Sequence, residues 1–131
     1  MITVEETNRC RRIAEKWFYD ECKPAMSEEE FYEWCSIFYP SIEAREFEYF
    51  LDGEFVAHQS FSTGLSLHYK YVVDSYNFIS PDARNNRALL KAMLEQSKQV
   101  CREAGIQWLV RSTHISPSVE KVSTTFIPEV N

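Results

Sequence analysis

The stretch YNFISPDARNNRALLKAMLEQSKQVCREAGIQWLV, residues 76–110, decides the fold that the sequence predicts. Its apolar start, Tyr76–Ile79, is followed closely by Pro81, which favours a sharp corner or a first helical turn. Apolar residues then recur at three- and four-residue steps, which predicts a long helix with one buried face. Gly105 suits the left-handed residue that ends such a helix, and Ile106–Val110 is typical of a short buried strand. We therefore predict a strand, a crossover helix and a second, parallel strand.

Size and composition predict one soluble, cytoplasmic domain over residues 1–131. Hydrophobic residues make up 44% of the chain and aromatic residues 15%, which argues against disorder. Lys and Arg number 14 against 20 Asp and Glu, a net charge of −6 without a basic cluster, so we expect no direct binding to nucleic acid. No apolar run approaches the roughly 20 residues that span a bilayer, and the N-terminus lacks a secretory pattern, so we expect no membrane association.

The cysteines and histidines do not suggest a metal site. The histidines are scattered, and the cysteines lack a C-x-x-C spacing, so we expect reduced, partly buried thiols and no metal. The residues concerned are Cys10, Cys22, Cys35, Cys101, His58, His68 and His114.

Two amphipathic helices are predicted before the sheet. Thr3 and Glu6 have the spacing of a capping box, and an apolar stripe at helical spacing follows them. Ser27 and Glu30 repeat the capping spacing before a second apolar stripe, which Pro40 ends. This interpretation leaves room for no more than a short strand at the start of the chain.

The middle of the chain predicts antiparallel strands. Two β-rich runs, residues 47–51 and 54–61, flank Asp52-Gly53, and a two-residue loop of this type is a strong hairpin signal because both residues need positive φ. Ser62-Thr63-Gly64 predicts a further turn, after which residues 67–79 form one long strand or two shorter ones. Three antiparallel strands would then lead into the parallel unit.

The end of the chain predicts a final short helix. Ser116 suits an N-cap, Pro117 suits the first helical position, and Val119, Val122 and Phe126 would share a face. The residues after Phe126 leave room for one short strand at most.

The central stretch also resembles a known family. In the GCN5-related N-acetyltransferases, the GNAT superfamily, a strand runs into V-x-P-x-x-R-G-x-G-x-G and a long helix, then a buried strand. The glycines of that motif have no counterpart in this chain, although Asn85 and Asn86 tolerate a left-handed φ. The matching residues are Pro81, Arg84, Ala88-Leu89-Leu90, Ala104-Gly105 and Trp108-Leu109-Val110.

The resemblance implies an α/β fold with a mixed sheet. The expected order is two N-terminal helices, an antiparallel meander and a parallel βαβ unit. Members of the family normally end with two further strands, and the C-terminal segment of this chain is too short for both. Small, degenerate GNAT-like proteins of tailed bacteriophages, some of them virion-associated, are similar. The resemblance therefore also implies a phage-encoded protein, in the host cytoplasm or in the virion.

The resemblance further implies that the chain binds acetyl-coenzyme A. In the family, the strand before the turn pairs with the pantetheine arm and the turn holds the pyrophosphate at a helix N-terminus, where unpaired amides and the helix dipole favour anions. Arg84 and Arg87 would add charge-assisted hydrogen bonds, or would merely cap and solvate the helix start. The implied positions are Asn77, Phe78 and Ile79 for the arm, and Arg84, Asn85, Asn86, Arg87 and Ala88 for the pyrophosphate.

Acyl transfer to an amine needs a base for the amine proton and a donor for the departing thiolate. Many family members use a strand Glu and a Tyr after the last parallel strand, but residues 116–126 contain no Tyr. The catalytic candidates here are Asp74 or Glu48 as a strand carboxylate, His114 at the carboxyl end of a parallel strand, and Ser116, Ser118 or Ser123 as a weak donor. An ordinary loop or partner-facing role is the alternative for His114.

Two functions are compatible with these patterns. The first is an acetyl-coenzyme A-dependent N-acetyltransferase acting on an amine of a small molecule or a protein. The second is an inactive GNAT-like binding or structural protein, for example virion-associated, with a protein partner. For the second, exposed tyrosines would anchor the partner, and the candidates are Tyr19, Tyr32, Tyr39 and Tyr69.

Overall fold

The described part of the chain folds into six strands and three helices. The computed structural model describes residues 1–116, 119–128 and 130, with the backbone alone described at 114–116. A 3₁₀ turn over Pro81–Ala83 precedes the third helix. The elements in chain order are β1 (Ile2–Glu5), α1 (Arg11–Cys22), α2 (Glu28–Ser41), β2 (Arg45–Leu51), β3 (Glu54–Ser66), β4 (Lys70–Ile79), α3 (Arg87–Ala104), β5 (Trp108–Ser116) and β6 (Val119–Phe126).

The six strands form one mixed sheet in the order β1-β2-β3-β4-β5-β6. Neighbours are antiparallel except β4 and β5, which are parallel and joined by α3. The predicted α/β class, the two N-terminal helices, the meander and the parallel βαβ unit are therefore confirmed. Within the described ranges, no helix is long and apolar enough to cross a membrane.

Helices cover both faces of the sheet. On one face, α3 buries Leu89 and Met93 in a core shared with Val73 of β4 and Leu109 of β5. On the other face, α1 and α2 pack a second cluster of buried aromatic and thiol side chains against Phe78 of β4. Because side chains alternate along a strand, successive residues of β4 face these two layers in turn.

The predicted turns were right at the first hairpin and wrong at the second. Asp52 and Gly53 join β2 to β3 with φ of 50° and 86°, as the two-residue loop requires. The turn predicted at Ser62-Thr63-Gly64 does not occur, because β3 runs through it to Ser66. Gly64 has a packing role instead, since a Cβ there would lie 2.7 Å from Oδ2 of Asp74 on the neighbouring strand.

The N-terminal capping box was wrong, and the second one was right. Thr3 lies in β1, which pairs with β2 along its length, so the free edge of the hairpin outweighs a local helix signal. The first helix begins only after Cys10, whose backbone amide donates to both carboxylate oxygens of Glu48 at 3.0 and 2.9 Å. Before α2, the Ser27 hydroxyl accepts a hydrogen bond from the Glu30 amide at 3.2 Å, as predicted.

The helix predicted after Ser116 was also wrong. Residues Val119–Phe126 form β6, which is antiparallel to β5 from Trp108 opposite Phe126 to Ser116 opposite Val119. The valine and threonine residues of this segment favour a strand, and the edge of β5 supplies its hydrogen-bond partner. Pro117, predicted at the first helical position, lies outside the described residues.

A buried ionic network attaches the start of α1 to the sheet. Arg11 donates to Glu46 of β2 at 2.6 Å and to Glu15 at 3.0 Å, and its guanidinium lies 4.3 Å from the Tyr39 ring centroid. His58 of β3 contacts the same Glu46 oxygen at 2.9 Å. Burial acts to raise the pKa of Glu46, but hydrogen bonds from His58 and Arg11 outweigh it, so this pKa is lowered. Arg11 is the shared cation of the network.

We expect Arg11→Ala to lower the free energy of unfolding by about 3–5 kcal/mol, because it removes the cation that Glu15 and Glu46 share and leaves Glu15 with only the exposed Arg12 and Glu46 with His58. Urea unfolding followed by circular dichroism measures the change. The matched control is Arg9→Ala, which removes an exposed ion pair with Glu5 and should change stability by less than about 1 kcal/mol. Equal effects of the two substitutions would contradict a structural role for the network.

Candidate functional site

The two parallel strands separate partway along their length. β4 and β5 pair at Val73 with Leu109, Asp74 with Val110 and Ser75 with Arg111, and between their described residues the pairing ends there. β4 continues to Ile79 with β3 as its partner, and β5 continues with β6. A wedge therefore opens toward the carboxyl ends of both strands, where open α/β sheets place their ligands.

The space between the separated strands is a cleft with a volume of about 800 Å³. Its volume lies within the range of about 300–1,000 Å³ typical of ligand pockets. Because the sheet is interrupted, residues from both helical layers and from both separated strands reach it. The lining residues are Trp17, Phe18, Glu21, Cys22, Gln59, Asn77, Phe78, Ile79, Arg84, Leu90, Lys91, Met93, Leu94, Ser97, Arg111, Ser112, Thr113 and Ser123.

The loop between β4 and α3 forms the mouth of the cleft. The Ser80 amide donates to the Val56 carbonyl at 2.8 Å, and the Ala83 and Asn86 amides close two tight turns onto Ser80 and Ala83, each at 3.0 Å. No residue of this loop, all of which the structure describes, has a positive φ. The backbone therefore forms a 3₁₀ turn that needs no glycine. The left-handed φ that Asn85 and Asn86 would tolerate does not occur at either residue.

At the start of α3, one backbone amide is capped by a side chain and two are free to bind an anion. Asn86 is the N-cap, and its side-chain oxygen accepts from the Leu89 amide at 3.0 Å. The backbone amides of Arg87 and Ala88 have no acceptor among residues 1–116, 119–128 and 130. These two amides lie at the positive end of the helix dipole. Of the described residues predicted to hold a pyrophosphate, only Arg84 also lines the cleft.

Arg84 lies at the mouth with an anionic partner. One of its terminal nitrogens, Nη2, forms an ion pair with Glu21 near the C-terminal end of α1, and both side chains are substantially exposed. The planar guanidinium has five N–H donors in a fork that suits phosphate oxygens. A phosphate at the mouth would therefore share or replace Glu21 as the partner of Arg84. The sequence alone did not indicate Glu21.

Asp74 pairs with Val110 at the inner end of the wedge, shares the β4 face of Phe78 toward α1 and α2, and is not among the residues that line the cleft. Its carboxylate is half-buried and accepts no hydrogen bond within the described part of the chain, and burial raises its pKa. Tyr76, two residues further along β4, lies on the same face; burial raises its pKa, and the charge of Asp74 adds to this. Tyr76 was not among the catalytic candidates predicted from the sequence, although its spacing from Asp74 indicates a shared face.

Two of the other predicted catalytic residues belong to β5. The backbone of His114 lies opposite Glu120, and that of Ser116 lies opposite Val119, so Ser116 is in a strand and not at a helix start. Their side chains lie outside the described residues. Their catalytic roles stay predictions.

The tyrosines proposed as partner anchors are mostly covered. Tyr39 is buried, and Tyr19 and Tyr32 are partly buried. Tyr69 is 36% exposed and contacts Trp108, with ring centroids 4.2 Å apart. Of the four candidates, Tyr39 is therefore excluded as an exposed anchor because it packs in the core, and the other tyrosines are at least partly covered.

No protein-family model matches the chain, and no curated protein matches it significantly. Solved structures do match over most of its length. One is a predicted acetyltransferase from Clostridium acetobutylicum with acetyl-CoA, at 12% identity and a TM-score of 0.64, covering 88% of this chain and 82% of that one.

Two further matches have similar scores. A GNAT superfamily phosphinothricin acetyltransferase from Sinorhizobium meliloti, in complex with acetyl-CoA, has 16% identity and a TM-score of 0.63 over 85% of this chain and 65% of that one. The PaiA N-acetyltransferase from Thermoplasma acidophilum, in complex with coenzyme A, has 12% identity and a TM-score of 0.56 over 90% and 82%. At these identities the likeness establishes the architecture: this chain has the fold of the GCN5-related N-acetyltransferases.

Proposed function

We propose that the protein binds acetyl-coenzyme A in the cleft and transfers the acetyl group to an amine of a small molecule or a protein. The observation that carries this proposal is the end of β4–β5 pairing at Ser75 and Arg111, which opens a cleft of about 800 Å³ in front of α3. The solved structures of the same fold that contain acetyl-CoA or coenzyme A support it.

The residues present suit an anionic ligand with an extended arm. Arg84 at the mouth, and the free amides of Arg87 and Ala88 at the start of the helix that follows it, offer donors to phosphate oxygens. Along the cleft, the edge of β4 from Tyr76 to Ile79 that faces β5 has no strand partner within the described residues. Its backbone groups are therefore available to an arm that lies along the strand. Phe18, Phe78 and Leu94 contribute apolar lining.

Bound acetyl-coenzyme A would supply an acetyl thioester to this cleft. Asp74 is the residue that we assign to the amine proton, because a carboxylate with a raised pKa is a better base near neutral pH than an ordinary one. Tyr76 shares its face and holds a hydroxyl proton, since burial raises its pKa. We infer that this pair serves the amine and the departing thiolate, in place of the tyrosine that residues 116–126 lack.

We expect acetyl-coenzyme A to bind with micromolar affinity, measured by isothermal titration calorimetry, and Arg84→Ala to weaken that binding about 10- to 100-fold. The reason is the loss of charge-assisted hydrogen bonds worth about 1.5–3 kcal/mol. Arg102→Ala, in the last turn of the same helix, is the control and should bind as the wild type does. No detectable heat at millimolar ligand would contradict the proposed function and favour the inactive binding protein.

We expect Asp74→Asn to lower kcat about 10²- to 10⁴-fold while leaving acetyl-coenzyme A affinity unchanged, because it removes the base without altering the mouth. Thiol release, assayed with a panel of amines, measures the rate. Asp52→Asn in the β2–β3 loop is the control. A rate equal to that of the wild type would exclude Asp74 as the base.

Gly64→Ala tests the same residue without changing its charge. The new Cβ would lie 2.7 Å from Oδ2 of Asp74, so the carboxylate must move. We expect kcat to fall while calorimetric affinity for acetyl-coenzyme A is kept.

In the wild type, activity should decrease as the pH is lowered through the raised pKa of Asp74, because the base must be ionised. A pH profile unchanged by Asp74→Asn in any residual activity would count against this assignment.

A further inference from the structure

Two side-chain amides lie next to each other on the wall of the cleft. Gln59 of β3 and Asn77 of β4 are cross-strand partners, and both line the cleft on the side of α3. Two neighbouring amides of this kind can satisfy one another or other groups, so their hydrogen bonds show which of them remains available.

Gln59 is fully used by the protein itself. It is 1% exposed, and its oxygen accepts from the Tyr49 hydroxyl at 2.5 Å. Its nitrogen donates to the Met93 carbonyl and to the Ser97 hydroxyl, each at 3.2 Å. Both of its amide hydrogens are therefore occupied, and Gln59 ties β3 to α3.

Within the described residues, only the oxygen of the Asn77 side-chain amide has a hydrogen-bond partner. The Ser75 hydroxyl, on a side chain that is 3% exposed, donates to the Asn77 side-chain oxygen at 3.2 Å. The Nδ2 group, with two hydrogens, has no acceptor in the described part of the chain. Because the Ser75 hydroxyl already donates to the Asn77 oxygen, the Nδ2 group is the part of this amide that is available to a ligand. The Nδ2 atom is not enclosed by the protein, so an acceptor in the cleft would take the place of water as its partner.

The position of Asn77 indicates which part of a ligand it would meet. It is two residues beyond Ser75, the last residue of β4 that pairs with β5, or roughly 7 Å along the strand. Arg84 lies at the opposite, outer end of the cleft, in the loop that leads to the free amides at the start of α3. An anion bound at the mouth would therefore extend its uncharged portion inward, past Asn77.

We propose that the Asn77 side-chain amide donates a hydrogen bond to a carbonyl oxygen of the ligand in the cleft, in addition to any contact of the β4 backbone. This inference rests on the proposed function. Acetyl-coenzyme A has two kinds of carbonyl that suit this donor, the acetyl thioester and the amides of the pantetheine arm. If the thioester is the partner, Asn77 stabilises negative charge on its oxygen and is itself a catalytic residue.

Calorimetry with four ligands separates these possibilities. Acetyl-coenzyme A contains both kinds of carbonyl, coenzyme A and its S-ethyl thioether contain only the arm amides, and adenosine 3′,5′-diphosphate contains neither. Each is titrated into the wild type, Asn77→Ala and Asn77→Asp, with Gln99→Ala, which removes an exposed side-chain amide of α3 outside the cleft, as the control. Asn77→Asp keeps the shape of the side chain but replaces its donors by acceptors. Thermal unfolding verifies that each variant is folded.

We expect Asn77→Ala to weaken acetyl-coenzyme A binding about 3- to 10-fold and Asn77→Asp to weaken it further, with adenosine 3′,5′-diphosphate unaffected. Weakening confined to acetyl-coenzyme A assigns the thioester carbonyl. Equal weakening for the coenzyme and its thioether assigns an arm amide. Wild-type affinity in both Asn77 variants overturns this inference alone. Absence of binding to all four ligands by the wild type overturns it together with the proposed function.

Discussion

The short parallel pairing of β4 and β5 is the constraint on which the rest of the structure depends. Parallel neighbours need a crossover element, and α3 supplies it, so the helix must begin close to the carboxyl end of β4. The pairing is limited to three residue pairs, so the strands are free to separate beyond them. The cleft and the helix N-terminus in front of it therefore arise from the same piece of topology.

Separating two strands exposes backbone groups, and the sheet compensates on either side. β4 keeps β3 as its partner along its whole length, and β5 keeps β6. Each wall of the cleft is therefore a strand that has an antiparallel partner on its other side. These partners hold β4 and β5 apart and keep the cleft open. Gln59 strengthens one wall further, because it connects β3 to the middle of α3 beneath the cleft.

The parts of the fold that the sequence predicted correctly have strong local signals. The apolar period of α3 with Gly105 at its end, the Asp52-Gly53 loop and the Ser27 cap were all sufficient by themselves. β1 was allowed for only as a short strand, and β6 was predicted to be a helix, because each is stabilised by the free edge of another strand, which no local pattern reveals. Gly64 was taken for a turn residue because its real constraint, the Asp74 carboxylate, belongs to a different strand.

The same distinction holds for the candidate site. Asn77, Phe78, Ile79 and Arg84 could be named in advance, because they flank the turn that carries the family resemblance. The missing glycines gave no indication of how the turn would form, since a 3₁₀ turn depends on backbone hydrogen bonds and not on one residue type. Gln59 and Glu21 could not be named, because helix and strand packing brings them to the cleft from distant parts of the sequence.

The two ends of α1 connect the stability of the fold to the shape of the cleft. Arg11 fixes the start of the helix to β2 through buried carboxylates, and Trp17 stacks on Phe55 of β3 with centroids 5.2 Å apart. The far end then presents Glu21 to Arg84 at the mouth. Because α1 is held along its length by the sheet, Arg84 has a partner on a rigid element. The pairing of Glu21 with Arg84 therefore depends on the packing of α1 against the sheet, because an exposed ion pair adds little stability by itself.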